Sequence, residues 1–168
     1  MARKNIILCG FMGSGKSTIG NLLSKKMGMS FVDMDKYIEK QENKTVTQIF
    51  EENGEEYFRE KEREASRLLG SKRGLIIAAG GGTLTFPENV EAFRENGRIV
   101  LLNVSPETVA ERLKSDNTRP LLEKPDKLLA IKELFETRMP LYKSAADIVV
   151  DADQSPMQVC MEIMSSIH

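Results

Sequence analysis

Residues 10–17 constrain the fold of this chain more than any other stretch. They read Gly10-Phe11-Met12-Gly13-Ser14-Gly15-Lys16-Ser17 and match the pattern G-x-x-x-x-G-K-S/T in full. An apolar run, residues 5–9, precedes them, and a helix-like stretch, residues 17–27, follows. Glycines in such a turn let successive backbone N–H groups point at one anion at a helix N-terminus. The context therefore predicts a phosphate-binding loop (P-loop) rather than an incidental glycine-rich turn.

Each residue type in this loop suits a triphosphate and its cation. The Lys16 ammonium can reach the β- and γ-phosphates, where it would also assist catalysis, and the Ser17 hydroxyl suits Mg²⁺. We therefore expect ATP and Mg²⁺ as cofactors. The residues expected to contact the nucleotide are Gly13, Ser14, Gly15, Lys16, Ser17 and Thr18.

Apolar runs alternate with helical stretches along the chain, which is typical of an α/β sandwich built on a parallel sheet. Ser105-Pro106 and Ser155-Pro156 each read as an N-cap followed by proline at the first helical position. The stripe Met157, Met161 and Met164 is spaced for core packing. With 168 residues, we predict one domain, 1–168. The predicted strands are residues 5–9, 30–32, 75–79, 98–102 and 147–150.

Composition excludes several classes of function. The net charge of −1 gives no broad basic field, so we expect no nucleic-acid partner. No apolar run approaches the length that spans a membrane, and Cys9 and Cys160 make no disulfide framework, so we expect a cytoplasmic protein without a membrane partner. The sequence has one histidine, His168, and as the last residue it has nothing beyond it to fix its position. This argues against hydrolases with a Ser-His-Asp triad and zinc enzymes that use histidine ligands.

A second magnesium ligand is expected from Asp33 or Asp35, which follow the second predicted strand. The third predicted strand ends in glycines and offers no carboxylate there. If the chain stays extended, the two aspartates share a side. If a helix starts between them, one can face the metal and the other a substrate hydroxyl. Either aspartate can also be merely the N-cap of that helix.

Three further features have both a plain and a functional interpretation. Gly80-Gly81-Gly82 is a sharp turn, or a place where backbone approaches a ligand closely. Arg59 lies four residues from Glu55 and three from Glu62, and this spacing favours a solvated helix face with weak ion pairs. Residues 115–125 form a polar loop with two prolines, which is a mobile lid or an ordinary connection.

Three other arginines are candidates for binding. Arg119, in that loop, can close over the transferred phosphoryl group. Arg138 precedes Pro140 and is predicted to end a helix, where it would complement the helix dipole. Arg112 can stack on adenine or face water.

Taken together, these residues resemble the shikimate kinase family along nearly the whole chain. The P-loop is shared with many families, whereas the other motifs in this order are far more specific. The matching stretches are Gly10 to Thr18, Asp33-x-Asp35, Phe58-Arg59-x-x-Glu62, Gly80-Gly81-Gly82, Arg119-Pro120-Leu121-Leu122 and Arg138-x-Pro140-Leu141-Tyr142.

The resemblance implies a five-stranded parallel sheet in a nucleoside-monophosphate-kinase-like P-loop fold, with a substrate-binding insertion at about 33–62 and a lid at about 115–125. It implies phosphorylation of the 3-hydroxyl of shikimate by ATP and Mg²⁺, and a monomer. Catalytic roles fall to Lys16, Asp35 and Arg119, and metal contacts to Ser17 and Asp33. The implied substrate contacts are Asp35, Arg59, Glu62, Gly80, Gly81, Gly82 and Arg138, walled by Phe50 and Phe58.

The adenine side follows the family pattern less well. Arg112 and Arg119 are implied nucleotide contacts, but Gln154 stands where family members often have arginine. Two alternatives stay open: a related kinase, such as a gluconate- or nucleotide-directed one, or a module that binds a nucleotide and responds to shikimate without turning it over.

Overall fold

A computed structural model describes residues 3–112 and 127–167. Its five strands are β1 (Asn5–Cys9), β2 (Ser30–Asp33), β3 (Leu75–Ala78), β4 (Gly97–Asn103) and β5 (Ile148–Asp151). Its helices are α1 (Lys16–Met27), α2 (Met34–Glu42), α3 (Val46–Asn53), α4 (Glu55–Gly70), α5 (Pro87–Arg94), α6 (Pro106–Arg112), α7 (Lys127–Ala145) and α8 (Pro156–Ser166), with a short 3₁₀ turn at Thr83–Thr85.

The strands form one parallel sheet in the order β2-β3-β1-β4-β5. Helices cover it to give a three-layer α/β sandwich, so the predicted fold class is confirmed. The central strand β1 is buried at all five positions, because a parallel sheet packed on both faces has no solvent side. The edge strands β2 and β5 are only partly buried. No helix in the described part of the chain is long and apolar enough to cross a membrane.

Capping boxes begin α3 and α8, and the second lies at the predicted Ser155-Pro156 helix start. The Thr45 side chain accepts from the backbone of Gln48, and the Gln48 side chain accepts from the backbone of Thr45, which forms a capping box before α3. Ser155 and Gln158 make the same reciprocal pair before α8, with Pro156 as the first helical residue. Helices α2, α3 and α4 together fill the stretch between β2 and β3.

Two expectations about helices were wrong. Helix α7 continues through Pro140 to Ala145, so Arg138 lies inside the helix rather than at its end. Pro140 and Glu136 are exposed, and water can bond to the carbonyl that loses its helical partner there.

The methionine stripe of α8 is the second correction. Met164 is partly buried against the core as predicted, but Met157 and Met161 are 45% and 62% exposed. The helix packs instead through Val159, Cys160 and Ile163, which are buried. Methionines at helical spacing define a face, but the neighbouring branched residues determine which face packs against α1 and β5.

The carboxyl ends of β1, β2 and β3 meet at one edge of the sheet because all strands are parallel. The P-loop follows β1, the aspartates follow β2, and the glycine triplet follows β3. Three stretches that are distant in the sequence therefore surround one site.

Candidate active site

The P-loop turns back on itself before α1 begins. Gly13 and Gly15 have φ of 79° and 94°, a left-handed backbone region that side chains with Cβ rarely adopt. The Ser14 N–H donates to the Phe11 carbonyl at 3.0 Å, and the first bond of α1 runs from Ile19 N–H to Gly15 O at 2.9 Å. Gly15 has no side chain to cap the helix, so the α1 N-terminus suits an anion.

The Lys16 ammonium lies within this loop. Its Nζ donates to the Gly10 carbonyl at 2.7 Å and contacts the Phe11 carbonyl at 3.5 Å.

The buried Cys9 thiol is adjacent in sequence to Gly10. Burial raises the pKa of Cys9 to about 12, against the lowering effect of Lys16, so this thiol is no nucleophile.

Asp33 is the N-cap of α2, as one interpretation proposed, and it also contacts the P-loop helix. Its Oδ1 accepts from the Lys36 N–H at 3.2 Å and caps α2, while its Oδ2 accepts from the Ser17 hydroxyl at 3.1 Å. A hydroxyl and a carboxylate in contact beside the P-loop are hard oxygen donors of the kind Mg²⁺ prefers. Among the described residues no group of three or more histidine, cysteine or acidic side chains could hold a metal. A cation bound here would therefore need phosphate and water oxygens as its remaining ligands, as Mg²⁺ usually does.

Asp35 lies in the first turn of α2, so the helix starts between the two aspartates and their directions diverge. The Asp35 carboxylate reaches across to the glycine triplet after β3. A methyl group at Gly80 would lie 2.8 Å from Asp35 Oδ1 and 2.9 Å from Glu62 Oε2. Gly80 therefore permits two carboxylates to approach the backbone.

The other two glycines serve the arginines in the same way. A methyl group at Gly82 would lie 2.6 Å from Nη1 of Arg59, and one at Gly81 would lie 2.9 Å from Nη1 of Arg138. Real Cβ atoms almost never make contacts this short, and none of the three glycines has a positive φ. The triplet does form a turn, and the close approach of charged side chains explains why its residues are glycines.

Arg59 is held in a mostly buried position between two aromatic rings. Its Nη1 donates to Glu62 Oε1 at 2.6 Å, and its guanidinium carbon lies 5.6 Å from the ring centroids of Phe58 and Phe86. The contact with the exposed Glu55 is longer, at 3.4 Å. The side chain is 12% exposed and that of Glu62 1%, so the solvated ion pair favoured by spacing is not what forms here.

Arg138 is 8% exposed and lies one helical turn before Tyr142 on α7. The Tyr142 hydroxyl donates to the Gly81 carbonyl. Burial raises the pKa of Tyr142 to about 12, although the nearby Arg138 charge opposes the shift. Tyr142 therefore remains a neutral hydrogen-bond donor at physiological pH, and it fixes the peptide beside Arg138.

Most of the predicted site residues line one cavity of about 340 Å³, although Gly80 is not on its wall. Both guanidinium-bearing residues, Arg59 and Arg138, lie on its wall together with Lys16. Phe50 and Phe58 also line it, with ring centroids 4.9 Å apart. The remaining predicted residues on its wall are Gly13, Ser14, Gly15, Ser17, Thr18, Asp33, Asp35, Glu62, Gly81 and Gly82.

Arg112 and Gln154, predicted for the adenine side, are not among the described residues that line this cavity. Arg112 donates to the Gly13 carbonyl at 2.8 Å and contacts the Ala152 carbonyl at 3.5 Å, which links the P-loop to the loop after β5. The Gln154 amide donates to the Asp151 carbonyl and to Glu162 Oε2, at 2.8 and 2.5 Å. Arg119 and the loop 115–125 lie outside the described residues.

Sequence reasoning missed several residues that shape the site. Met12, Val46, Ala78 and Ala79 line the cavity, and small or apolar residues of this kind carry no functional signal in a sequence. The Thr83 hydroxyl donates to Glu62 Oε2. In the sequence, however, a threonine after a glycine triplet is typical of an ordinary turn.

Comparison with known proteins gives close matches over nearly the full length. The family model described as shikimate kinase matches residues 12–168. A shikimate kinase from Persephonella marina is 48% identical over 166 residues, which is 98% of this chain and 99% of that protein. The solved structure of shikimate kinase from Acinetobacter baumannii, in complex with shikimate, is 33% identical with a TM-score of 0.93, covering 98% of this chain and 93% of that one.

More distant structures share only the fold. A gluconokinase from Sinorhizobium meliloti is 18% identical with a TM-score of 0.62, covering 96% of this chain and 90% of that one. A deoxyadenosine kinase from M. mycoides is 19% identical with a TM-score of 0.65, covering 98% of this chain and 99% of that one. The nucleoside-kinase-like P-loop architecture is thus confirmed by several solved proteins.

Proposed function

The chain belongs to the shikimate kinase family, and we propose that it transfers the γ-phosphoryl group of ATP to the 3-hydroxyl of shikimate, giving shikimate 3-phosphate and ADP. One observation carries the choice of acceptor: Arg59 and Arg138 line the same cavity as Lys16. Two guanidinium groups suit a carboxylate, and Asp35 suits a ring hydroxyl. Shikimate is a carboxylate on a ring that bears three hydroxyls.

Positioning and charge neutralisation account for most of the proposed rate enhancement. Arg59 and Arg138 hold the carboxylate, Glu62 orients Arg59, and the glycine triplet lets the ring lie close to the backbone. Asp35 accepts a hydrogen bond from the 3-hydroxyl. This bond orients the hydroxyl oxygen toward the γ-phosphate. Lys16 stabilises the negative charge of the transferred group, and the N–H groups at the α1 N-terminus hold the neighbouring phosphates.

Mg²⁺ is part of the proposal, with Ser17 and Asp33 as its protein ligands. Their side-chain oxygens are already in contact at 3.1 Å. Bound there, the cation would supply positive charge against the negative charge that develops during transfer.

The proposal extends to the organisation of the chain. We assign 1–168 to one kinase domain in which about 33–62 is the substrate-binding insertion and about 115–125 is the lid that supplies Arg119 to the phosphates. Arg112 and Gln154 are assigned to the adenine side. A cytoplasmic monomer is the expected form, and size-exclusion chromatography with light scattering checks the monomer.

The function is tested by measuring ADP release with Mg²⁺ and three acceptors: shikimate, gluconate and nucleoside monophosphates. We expect turnover with shikimate alone, and mass spectrometry and phosphorus NMR should locate the new phosphate on the 3-hydroxyl. Faster turnover of gluconate would identify a different kinase. Binding of shikimate and ATP without ADP release would identify a non-catalytic module.

Arg59→Lys is expected to raise the KM for shikimate roughly 10- to 100-fold while the KM for ATP stays within twofold. Lysine keeps the charge but loses the planar pair of donors that grips a carboxylate and faces Glu62. Steady-state kinetics with each substrate varied in turn measures both constants.

Arg63→Lys is the matched control for this substitution. Arg63 lies one turn further along α4 and pairs with Glu60 and Glu88 outside the cavity. It should leave both constants unchanged. An unaltered shikimate KM in Arg59→Lys would remove Arg59 from the carboxylate site.

A further inference from the structure

Glu62 is held at both of its carboxylate oxygens. Oε1 accepts from Arg59 Nη1 at 2.6 Å, and Oε2 accepts from the Thr83 hydroxyl at 2.5 Å. Glu62 is 1% exposed and Thr83 0% exposed, so neither oxygen has ready access to bulk water. The pair of bonds fixes the rotation of the carboxylate, which a single bond would leave free.

The Thr83 hydroxyl is itself held in place by the chain around it. The Thr83 N–H donates to the Gly80 carbonyl at 3.2 Å and so closes the turn that the glycine triplet forms. The Thr83 carbonyl accepts from Asn89 Nδ2 at 2.9 Å. Asn89 is buried on α5, so this helix supports the turn from the side away from the cavity.

Arg59 is oriented by its bond to Glu62 in addition to the flanking rings of Phe58 and Phe86. Its other ionic partner, Glu55, is exposed and 3.4 Å away, and pairs of that kind contribute little. Arg59 and Glu62 lie three residues apart on α4, a spacing that allows contact but leaves both side chains several rotamers. The Thr83 hydroxyl, from outside the helix, bonds to the Glu62 end of this pair.

We propose that Thr83 is a positioning residue for substrate binding: its hydroxyl orients Glu62, and Glu62 orients the Arg59 guanidinium toward the acceptor's carboxylate. Asn89 supports Thr83 through its carbonyl. The inference rests on the proposed function, because it concerns the same acceptor site. Thr83 touches neither substrate nor phosphate in this scheme and acts only through the chain of two hydrogen bonds.

Thr83→Val removes the hydroxyl and keeps the shape of the side chain. It leaves Glu62 Oε2 buried with no donor, a costly state that the carboxylate relieves by turning away from its position beside Arg59. We expect the KM for shikimate to rise about tenfold, the loss typical of one hydrogen bond to a charged group, with the KM for ATP unchanged and kcat within about threefold. Thr83→Ser restores the hydroxyl and should bring the KM for shikimate back to within about twofold of wild type.

Two comparisons separate positioning from plain stability. Thr85→Val is the matched control, since the Thr85 hydroxyl lies in the same turn and donates to the Gly82 carbonyl at 2.6 Å without reaching Glu62. It should lower the melting temperature and leave the KM for shikimate unchanged. In a Glu62→Gln background, Thr83→Val should change the KM little, because the residue through which Thr83 acts is already altered.

The outcomes are distinguishable. An unchanged KM for shikimate in Thr83→Val, an equal rise in Thr85→Val, or full additivity with Glu62→Gln would each overturn the role of Thr83. Failure of the proposed function itself would appear in the wild-type protein, as absence of turnover with shikimate. If Thr83→Val does not fold, Thr83→Ala gives the same comparison with Thr83→Ser, because alanine adds no side-chain volume.

Discussion

Lys16→Met is expected to lower kcat by about 10³-fold or more, the largest effect of any single substitution in this chain. Methionine approximates the length of the lysine side chain but has no charge and no donor. The ammonium lies at the P-loop, at hydrogen-bond distance from the Gly10 carbonyl, on the wall of the cavity that also holds Asp35. The substitution would therefore remove the P-loop cation that stabilises the negative charge on the transferred phosphoryl group. Single-turnover measurements at saturating ATP and shikimate isolate this step from binding.

Lys25→Met is the control for the Lys16 substitution. Lys25 is exposed in the last turn of the same helix, α1. Its loss should leave kcat and both KM values unchanged, which would exclude a general effect of the substitution on α1. Turnover by Lys16→Met near the wild-type rate would remove the P-loop from the proposed chemistry.

The sequence predicted the fold well because the decisive signals are local. The strand β1 runs over Asn5–Cys9 as predicted, and the ends of the other strands differ from prediction by at most one residue. Continuous apolar runs, a complete P-loop pattern and two N-cap signals each depend on neighbours within a few residues. Such signals survive without knowledge of the tertiary contacts.

The arginines and glycines were harder to interpret because their roles depend on contacts between distant segments. Spacing on α4 favoured a solvated Arg59, whereas the aromatic rings of Phe58 and Phe86 and the buried Glu62 enclose it. Gly82 is needed because a Cβ at this position would lie 2.6 Å from Arg59 Nη1. That contact joins distant segments, so the local sequence does not indicate it. Residue spacing along one helix does not reveal what the next strand brings against it.

Helix α7 shows the same limit from the opposite direction. Proline usually ends a helix, and that rule placed Arg138 at a terminus. Because α7 continues, Arg138 and Tyr142 lie one turn apart on a buried face and meet the glycine triplet together. Tertiary packing of that face outweighs the lost hydrogen bond at Pro140.

Asp35→Asn is expected to lower kcat by about 10²- to 10³-fold with a smaller effect on either KM. Asparagine keeps the shape but carries no charge and offers one carbonyl oxygen in place of two carboxylate oxygens. The carboxylate lies beside the glycine triplet, with Oδ1 at 2.8 Å from the position of a Cβ on Gly80. It therefore lies by the glycine triplet on the cavity wall, whereas Ser17 pairs with Asp33. Turnover at saturating Mg²⁺, ATP and shikimate measures the effect.

Asp33→Asn, made two residues earlier, distinguishes orientation of the acceptor from binding of the cation. Asparagine is as good an N-cap as aspartate, so α2 keeps its cap, while the charge beside the Ser17 hydroxyl is lost. This variant should need more Mg²⁺ for half-maximal rate and recover much of its turnover when Mg²⁺ is raised, whereas Asp35→Asn should gain nothing from added Mg²⁺. The two aspartates would exchange their assigned roles if the Mg²⁺ dependence shifted in Asp35→Asn instead, and a mild loss in Asp35→Asn at every Mg²⁺ concentration would contradict its role at the hydroxyl.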